Sequence, residues 1–203
     1  MYIGRFVIVG RTLAGEWYVG YRVSSRSYPN RYILPLEDRA VVLPTETAPS
    51  SDNPYITYNC LRTHGQVLVV ANGSHVDPII DKVKIGYPLR DAMALSLLAL
   101  DYEHDKYNTP RVAAALNNRA GHGYLGIIGE GQVLVRRMEA APGEAFLIAT
   151  YERTEPTPIR LQGKKPVELC SAIYESEYEH PVAALAAMFQ DGELDMAARS
   201  AEV

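Results

Sequence analysis

The chain carries only two cysteines, Cys60 and Cys170, and no CxxC pair. That excludes a disulfide framework and a cysteine-based zinc site. No apolar run approaches the roughly 20 residues that a membrane-spanning helix needs. Positive charge is in deficit, with 20 Lys and Arg against 24 Asp and Glu, a net charge of −4. An acidic balance argues against nucleic acid as the main partner. There is no GxSxG motif, so a hydrolase elbow is not expected. His64, His75, His104, His122 and His180 show no metal-ligand spacing. Gly123, Gly126, Gly129 and Gly131 resemble a glycine-rich nucleotide loop, but they lack the strand-to-helix setting that the Rossmann and P-loop motifs require. The first ten residues read as a strand and lack the basic region and cleavage site of a signal peptide, so the expected compartment is the cytoplasm.

What is present is enough apolar sequence, 47% of 203 residues, to build a substantial core. The expected organisation is a single domain over residues 1–203. Residues 2–9 and 16–23 read as a hairpin, 40–43 as a short strand, and 45–54 as a Pro/Ser/Thr-rich loop. A second hairpin is expected over 56–63 and 66–71, turning at His64-Gly65. Asp77-Pro78 and Tyr87-Pro88 read as helix starts. The helix after Tyr87-Pro88 is apolar nearly all round, so burial on most sides is expected. Thr109-Pro110 repeats the start signal and predicts a third helix to about Asn118. Strands are expected at 124–128, 132–138 and 144–152, and helices at 167–175 and 181–190, the last stopped by Gly192. Hairpin-linked strands with interspersed helices give an α+β class with antiparallel sheets under helical layers.

Four segments could carry chemistry. Arg22, Arg26 and Arg31 fall within ten residues, spaced by Ser24, Ser25, Ser27 and Asn30, with no carboxylate among them. Guanidinium forks with small hydroxyls suit a phosphate or carboxylate; a solvated loop is the other reading. In Asn108-Thr109-Pro110-Arg111, a helix start would put Arg111 beside an anion on the helix N-terminus, or leave it to pair with Asp105. Asp101, Glu103 and Asp105 crowd one helix end, which raises a carboxyl pKa and makes a candidate acid or base; a solvated acidic end relieved by Lys106 fits equally. Asn72-Gly73-Ser74-His75 joins a strand to a helix, as a ligand-facing turn or merely a cap. On the strand near residue 58, Tyr58 and Cys60 share one face and Asn59 takes the other, and Cys60 reads as buried and inert rather than nucleophilic.

Together these segments resemble the archaeal-type IMP cyclohydrolase family. The resemblance is carried by residues 21–31, by Asn53-Pro54-Tyr55-Ile56 with Tyr58-Asn59-Cys60, and by Asn72-Gly73-Ser74-His75. Asp101-Tyr102-Glu103, Asn108-Thr109-Pro110-Arg111 and Tyr151-Glu152 with Thr154-Glu155-Pro156 continue it. It implies a four-layer αββα sandwich of two antiparallel sheets, similar to N-terminal-nucleophile hydrolases. Those hydrolases present Cys, Ser or Thr as residue one, whereas this sequence has Met1 and Tyr2, so terminal-nucleophile chemistry is not expected. The implied activity is that of a cyclic amidine hydrolase, the dehydrative closure of 5-formamidoimidazole-4-carboxamide ribotide to IMP in purine biosynthesis. No cofactor and no metal are implied. An amidohydrolase of the same fold using Cys60, and a non-catalytic purine-nucleotide-binding regulator, are the alternatives.

On this resemblance the reacting centre is assigned to Glu103, Tyr58 and Arg22. Glu103 would assist proton removal from the carboxamide, and Tyr58 would donate to the departing formyl oxygen. Arg22, Arg26 and Arg31, helped by Ser27 and its neighbours, would grip the phosphate, with Asn108 and Arg111 as a second candidate grip. Asn30, Asn59, Cys60, Asn72 and Ser74 complete the expected substrate-binding set. The partners implied are a small purine nucleotide and further copies of this chain as a homo-oligomer, with no nucleic acid and no membrane.

Overall fold

Apolar strand segments pair mostly with their chain neighbours. The computed structural model describes residues 1–50, 53 and 55–201. Pro54, in the expected 45–54 loop and in the Asn53-Pro54-Tyr55 motif, lies outside the described residues, as do the last two residues of the expected domain. The first hairpin is present as β1 (Phe6–Arg11) and β2 (Trp17–Ser24), paired antiparallel with Val7 opposite Tyr21. The second is β5 (Tyr58–His64) with β6 (Val67–Ala71). Between the hairpins lie β3 (Arg31–Pro35) and β4 (Arg39–Pro44).

Helices α1 (Val76–Lys84) and α2 (Leu89–Leu100) follow β6. Helix α1 buries Val76, Ile79 and Ile80, the one-face spacing of an amphipathic helix. It begins just before the expected Asp77-Pro78 start, with His75 at the cap position. Helix α2 is covered on one side only: Leu89, Met93 and Leu97 are buried, whereas Leu95 and Leu98 are exposed, so the expectation of burial on most sides is corrected.

The expected third helix at Thr109–Asn118 is instead strand β7 (Arg111–Asn117). Its Val112–Leu116 run is central in a sheet and covered on both faces. Such strands are continuously apolar and lose the alternation that would distinguish them from a buried helix. Strands β8 (His122–Gly129), β9 (Gln132–Met138), β10 (Ala145–Ala149) and β11 (Thr157–Ile159) come next, then helix α3 (Pro166–Tyr174). The expected helix at 181–190 is also a strand, β12 (Pro181–Gln190), and Gly192 turns the chain into β13 (Glu193–Ser200). Asp191 and Gly192 both have positive φ, +51° and +86°, as a tight hairpin turn requires.

Two antiparallel sheets result, ordered β11-β10-β1-β2-β12-β13 and β3-β4-β5-β6-β7-β8-β9. The pairs of β1 with β10 and β2 with β12 are the long-range exceptions to neighbour pairing. The main core lies between them, with Val7, Tyr21, Val23 and Leu185 meeting Cys60, Leu68, Val70 and Ala114. On the outer face of the six-stranded sheet, Phe6, Ile8, Tyr18 and Ala186 pack against Leu169 and Ile173 of α3. On the other outer face, Val69, Ala113 and Ala115 pack against Ile79, Ile80 and Met93 of α1 and α2. The molecule is therefore an α+β sandwich of four layers, helix, sheet, sheet and helices, as the resemblance implied. Antiparallel pairing brings the start of β1 and the ends of β2 and β10 to one end of the first sheet. It brings the starts of β5 and β7 and the end of β6 to one end of the second.

Candidate active site

A cleft of about 640 Å³ opens where these strand ends meet. The chain entering β1 supplies Tyr2, Gly4 and Arg5, and the segment leaving β2 supplies Ser24 to Tyr28. Glu103, Asp105 and Thr109 come from the connection between α2 and β7, and Thr150 and Tyr151 from the end of β10. Gly4, at φ +72°, is required here: a Cβ would stand 2.1 Å from Thr150 Oγ1.

The floor holds a buried ion pair. Arg5 Nη2 lies 2.6 Å from Glu103 Oε2, with the two side chains 11% and 2% exposed. Arg5 Nη1 donates to the Asn72 carbonyl at 2.9 Å, which fixes the guanidinium plane. Burial works against the charge on Arg5, but Glu103 and the neighbouring Tyr58 and Tyr21 outweigh it and hold the pKa well above the ordinary arginine value. Glu103 itself is fixed by a backbone bridge, its N–H donating to Thr109 O at 2.8 Å.

Asp105 accepts from the Thr109 backbone and hydroxyl and from Tyr107 N–H. Burial acts to raise its pKa, yet these bonds prevail and leave it below the ordinary carboxylate value, the reverse of what crowding alone predicts. The hydroxyl proton of Thr109 is committed to Asp105, so Tyr151 must donate across the 2.9 Å contact with Thr109 Oγ1. Behind the cleft lining, to which Tyr58 does not belong, the buried Tyr21 and Tyr58 hydroxyls meet at 2.6 Å. Burial and that partner push Tyr21 well above the usual phenol range, so it carries its proton.

The mouth is basic and hydroxylated. Arg26, Ser27 and Arg31 line it beside Ser24 and Ser25. Arg26 lies over the Tyr2 ring, 4.1 Å from its centroid, and Arg31 Nε donates to the Tyr28 carbonyl. Ser24 Oγ is buried with no partner from the protein.

Several expected residues are not brought to the cleft. Arg22 alternates with inward-facing Tyr21 and Val23 and turns to the α3 side, where it donates to Ser176 and to the Tyr178 carbonyl. Burial pulls its pKa down to about 10. Asn59 bonds Asp77 on the outer face at 2.8 Å. Cys60 is fully buried between the sheets, where burial pushes its thiol up and leaves it no route to a substrate. Asn72 spans β6 and β7, accepting from Val112 N–H and donating to Pro110 O, so it reaches the cleft only through the carbonyl that holds Arg5. Ser74 and Asn30 are exposed away from the cleft lining. Asn108 lies in a shallow neighbouring depression with Glu130, at positive φ and at no helix start. Arg111, buried in β7, donates Nε to the Asp101 carbonyl at 2.7 Å and keeps Nη1 4.0 Å from Glu103 Oε1. It caps no helix, so the helix-terminal anion site falls with the helix. Arg5, Tyr21, Thr109 and Tyr151 went unassigned by sequence reasoning. The only signal for Arg5 was a lone charge entering an apolar strand, and its partner is 98 residues away. Among the described residues, no three His, Cys, Asp or Glu side chains gather as a metal site.

Sequence comparison adds to this geometry. Residues 2–193 match the model of a family described as IMP cyclohydrolase-like protein. A protein of Haloquadratum walsbyi named IMP cyclohydrolase is 48% identical over 191 residues, covering 94% of this chain and 92% of the relative. One of Natronomonas pharaonis with the same name is 47% identical over 194 residues, 95% of each chain. One of Methanococcus maripaludis, also so named, is 42% identical over 197 residues, covering 95% of this chain and 97% of the relative.

Proposed function

The chain belongs to the IMP cyclohydrolase-like family, and from that membership and the cleft we infer how it works as an IMP cyclohydrolase. The enzyme closes the second purine ring. The carboxamide nitrogen of 5-formamidoimidazole-4-carboxamide ribotide attacks the formyl carbon, and water departs to leave IMP. One arrangement supports the assignment of roles: a buried Arg5–Glu103 pair at the floor of a cleft whose mouth carries Arg26, Arg31 and serine hydroxyls.

The phosphate sits at the mouth, held by the charge-assisted donors of Arg26 and Arg31. The unpartnered hydroxyl of Ser24, with Ser25 and Ser27, supplies shorter donors. The base extends inward toward Glu103. A carboxamide is too weak an acid for a carboxylate to deprotonate outright, so Glu103 accepts the proton as the nitrogen attacks. Tyr21 and Tyr58 have two hydroxyl protons and spend one on their mutual bond. The other passes to the formyl oxygen as it becomes a hydroxyl; the proton taken up by Glu103 then leaves with that hydroxyl as water, and the formamide N–H proton, released as the C=N bond forms, restores the phenol. Holding nitrogen and carbon at attack distance is worth several kcal/mol, up to roughly 7–11, so the cleft walls matter as much as the proton carriers.

Purified protein incubated with the formamido ribotide should form IMP, followed by its ultraviolet absorbance; no IMP from folded protein rejects the assignment. The enzyme is placed in the cytoplasm, where purine biosynthesis runs. Among the described residues no helix is long and apolar enough to cross a membrane. Edge strands β3, β9, β11 and β13 favour a homo-oligomer, which light scattering measures directly.

A further inference from the structure

Three buried polar atoms behind Glu103 have no hydrogen-bond partner within the protein: Glu103 Oε1, Arg111 Nη1 and His75 Nδ1. Their side chains are 2%, 6% and 0% exposed. They converge on one space, beside the α-carbon of Gly73. A Cβ built there would stand 2.8 Å from Arg111 Nη1, 3.4 Å from His75 Nδ1 and 3.6 Å from Glu103 Oε1. Arg111 and Glu103 attract each other, but at 4.0 Å they do not bond directly.

The bonding capacities of the three atoms define the ligand. His75 Nε2 faces the Val112 carbonyl at 3.0 Å, so that nitrogen carries the ring proton. Burial, with Arg111 beside it, pushes the His75 pKa down to about 3, so the ring is neutral and Nδ1 is a bare acceptor. Glu103 Oε1 is a second acceptor, and Arg111 Nη1 is a donor. Two acceptors and one donor need a ligand with two protons and a lone pair. Water has that set. A hydroxyl group has only one proton to give, a cation would face the Arg111 guanidinium, and an anion would face the Glu103 carboxylate.

We propose that Gly73, His75, Arg111 and Glu103 form a binding site for one structural water. It accepts from Arg111 Nη1 and donates to His75 Nδ1 and Glu103 Oε1. Arg5 then holds one carboxylate oxygen and the water holds the other, so Glu103 presents one fixed orientation to the cleft. His75 and Arg111 are positioning residues, and glycine at 73 keeps the space open. The functional consequence rests on the role given above to Glu103, whereas the site itself does not.

A crystal structure of the whole protein at a resolution that shows ordered water tests the site without any assay. Density within hydrogen-bond distance of all three atoms is expected. A direct Arg111–Glu103 contact with no such density overturns the proposal. Gly73→Ala puts a methyl group 2.8 Å from Arg111 Nη1, so the guanidinium end must shift as the water is displaced, on a backbone that tolerates alanine. It should displace the water and lower kcat on the order of tenfold with KM within about twofold, because orientation rather than binding is disturbed. His75→Phe, which keeps the ring volume and removes the acceptor, should show the same split. Wild-type kcat in a folded variant whose crystal structure lacks the water overturns the positioning role. An inactive wild-type protein that still shows the water would instead count against the activity.

Discussion

At the residue scale the Arg5–Glu103 pair decides most. Glu103→Gln keeps the shape and removes the proton acceptor proposed for ring closure, so kcat should fall roughly 10²-fold or more while KM changes little. Steady-state kinetics on the formamido ribotide check this, and an unchanged kcat removes Glu103 from the chemistry. Arg5→Met should destabilise the fold by about 3–5 kcal/mol, because it leaves a buried carboxylate without its cation. Adding Glu103→Gln to that variant should restore part of the loss in urea denaturation; simple additivity would show that the two groups are not coupled. At the mouth, Arg26→Ala and Arg31→Ala should each raise KM roughly 10–100-fold through a lost charge-assisted bond, with kcat nearly kept. The place of Arg26, Ser27, Arg31 and Glu103 in the cleft lining has a local mark in the sequence, a basic cluster without carboxylates or a crowding of acids. Arg22, expected at the reacting centre, lies outside the cleft for a reason the sequence also holds. The alternation that separates Tyr58 from Asn59 also separates Tyr21 from Arg22, and it sends the arginine to the helix side. Arg5 was not legible, since nothing near it in the chain resembles its partner.

At the scale of elements, β1 and β10 frame one side of the cleft, since Arg5 precedes one and Thr150 follows the other. Their approach depends on Gly10. A Cβ there would meet Ala145 Cα at 2.8 Å and Glu144 O at 2.9 Å, both backbone atoms that cannot swing aside. Gly10→Ala should therefore lower stability by roughly 1–3 kcal/mol in urea denaturation, and full stability would mean that the two strands part freely. Hairpin strands were legible from their turns. Strands β7 and β12 were not, because Val112–Leu116 and Val182–Met188 are small, apolar and covered on both faces. Alanine at positions 113–115, 183, 184, 186 and 187 mimics helix propensity, yet here it lets one layer approach the next closely.

At the scale of the whole molecule, catalytic and stability requirements meet at His75. Its side chain is fully buried among Val112, Arg111 and Glu103, and its pKa falls to about 3 from an ordinary value near 6.5. Between those values the unfolded chain binds a proton that the folded one refuses. Stability is thus complete above about pH 6.5 and declines as pH falls toward 3, with a slope of at most ~1.4 kcal/mol per pH unit from this one group. Asp105 has the same sign, but its pKa is lowered from a value already near 3.8, so its loss begins at more acidic pH. The interval from about pH 6.5 to 5 therefore isolates the histidine. Urea midpoints should correspond to a loss of roughly 1.6 kcal/mol across it, and His75→Gln, which cannot take up a proton, should flatten that dependence. An equal decline in the variant would assign the acid sensitivity to another group. The same burial that makes the fold acid-sensitive keeps the imidazole neutral, and only a neutral ring can accept the bond that steadies Glu103 from behind.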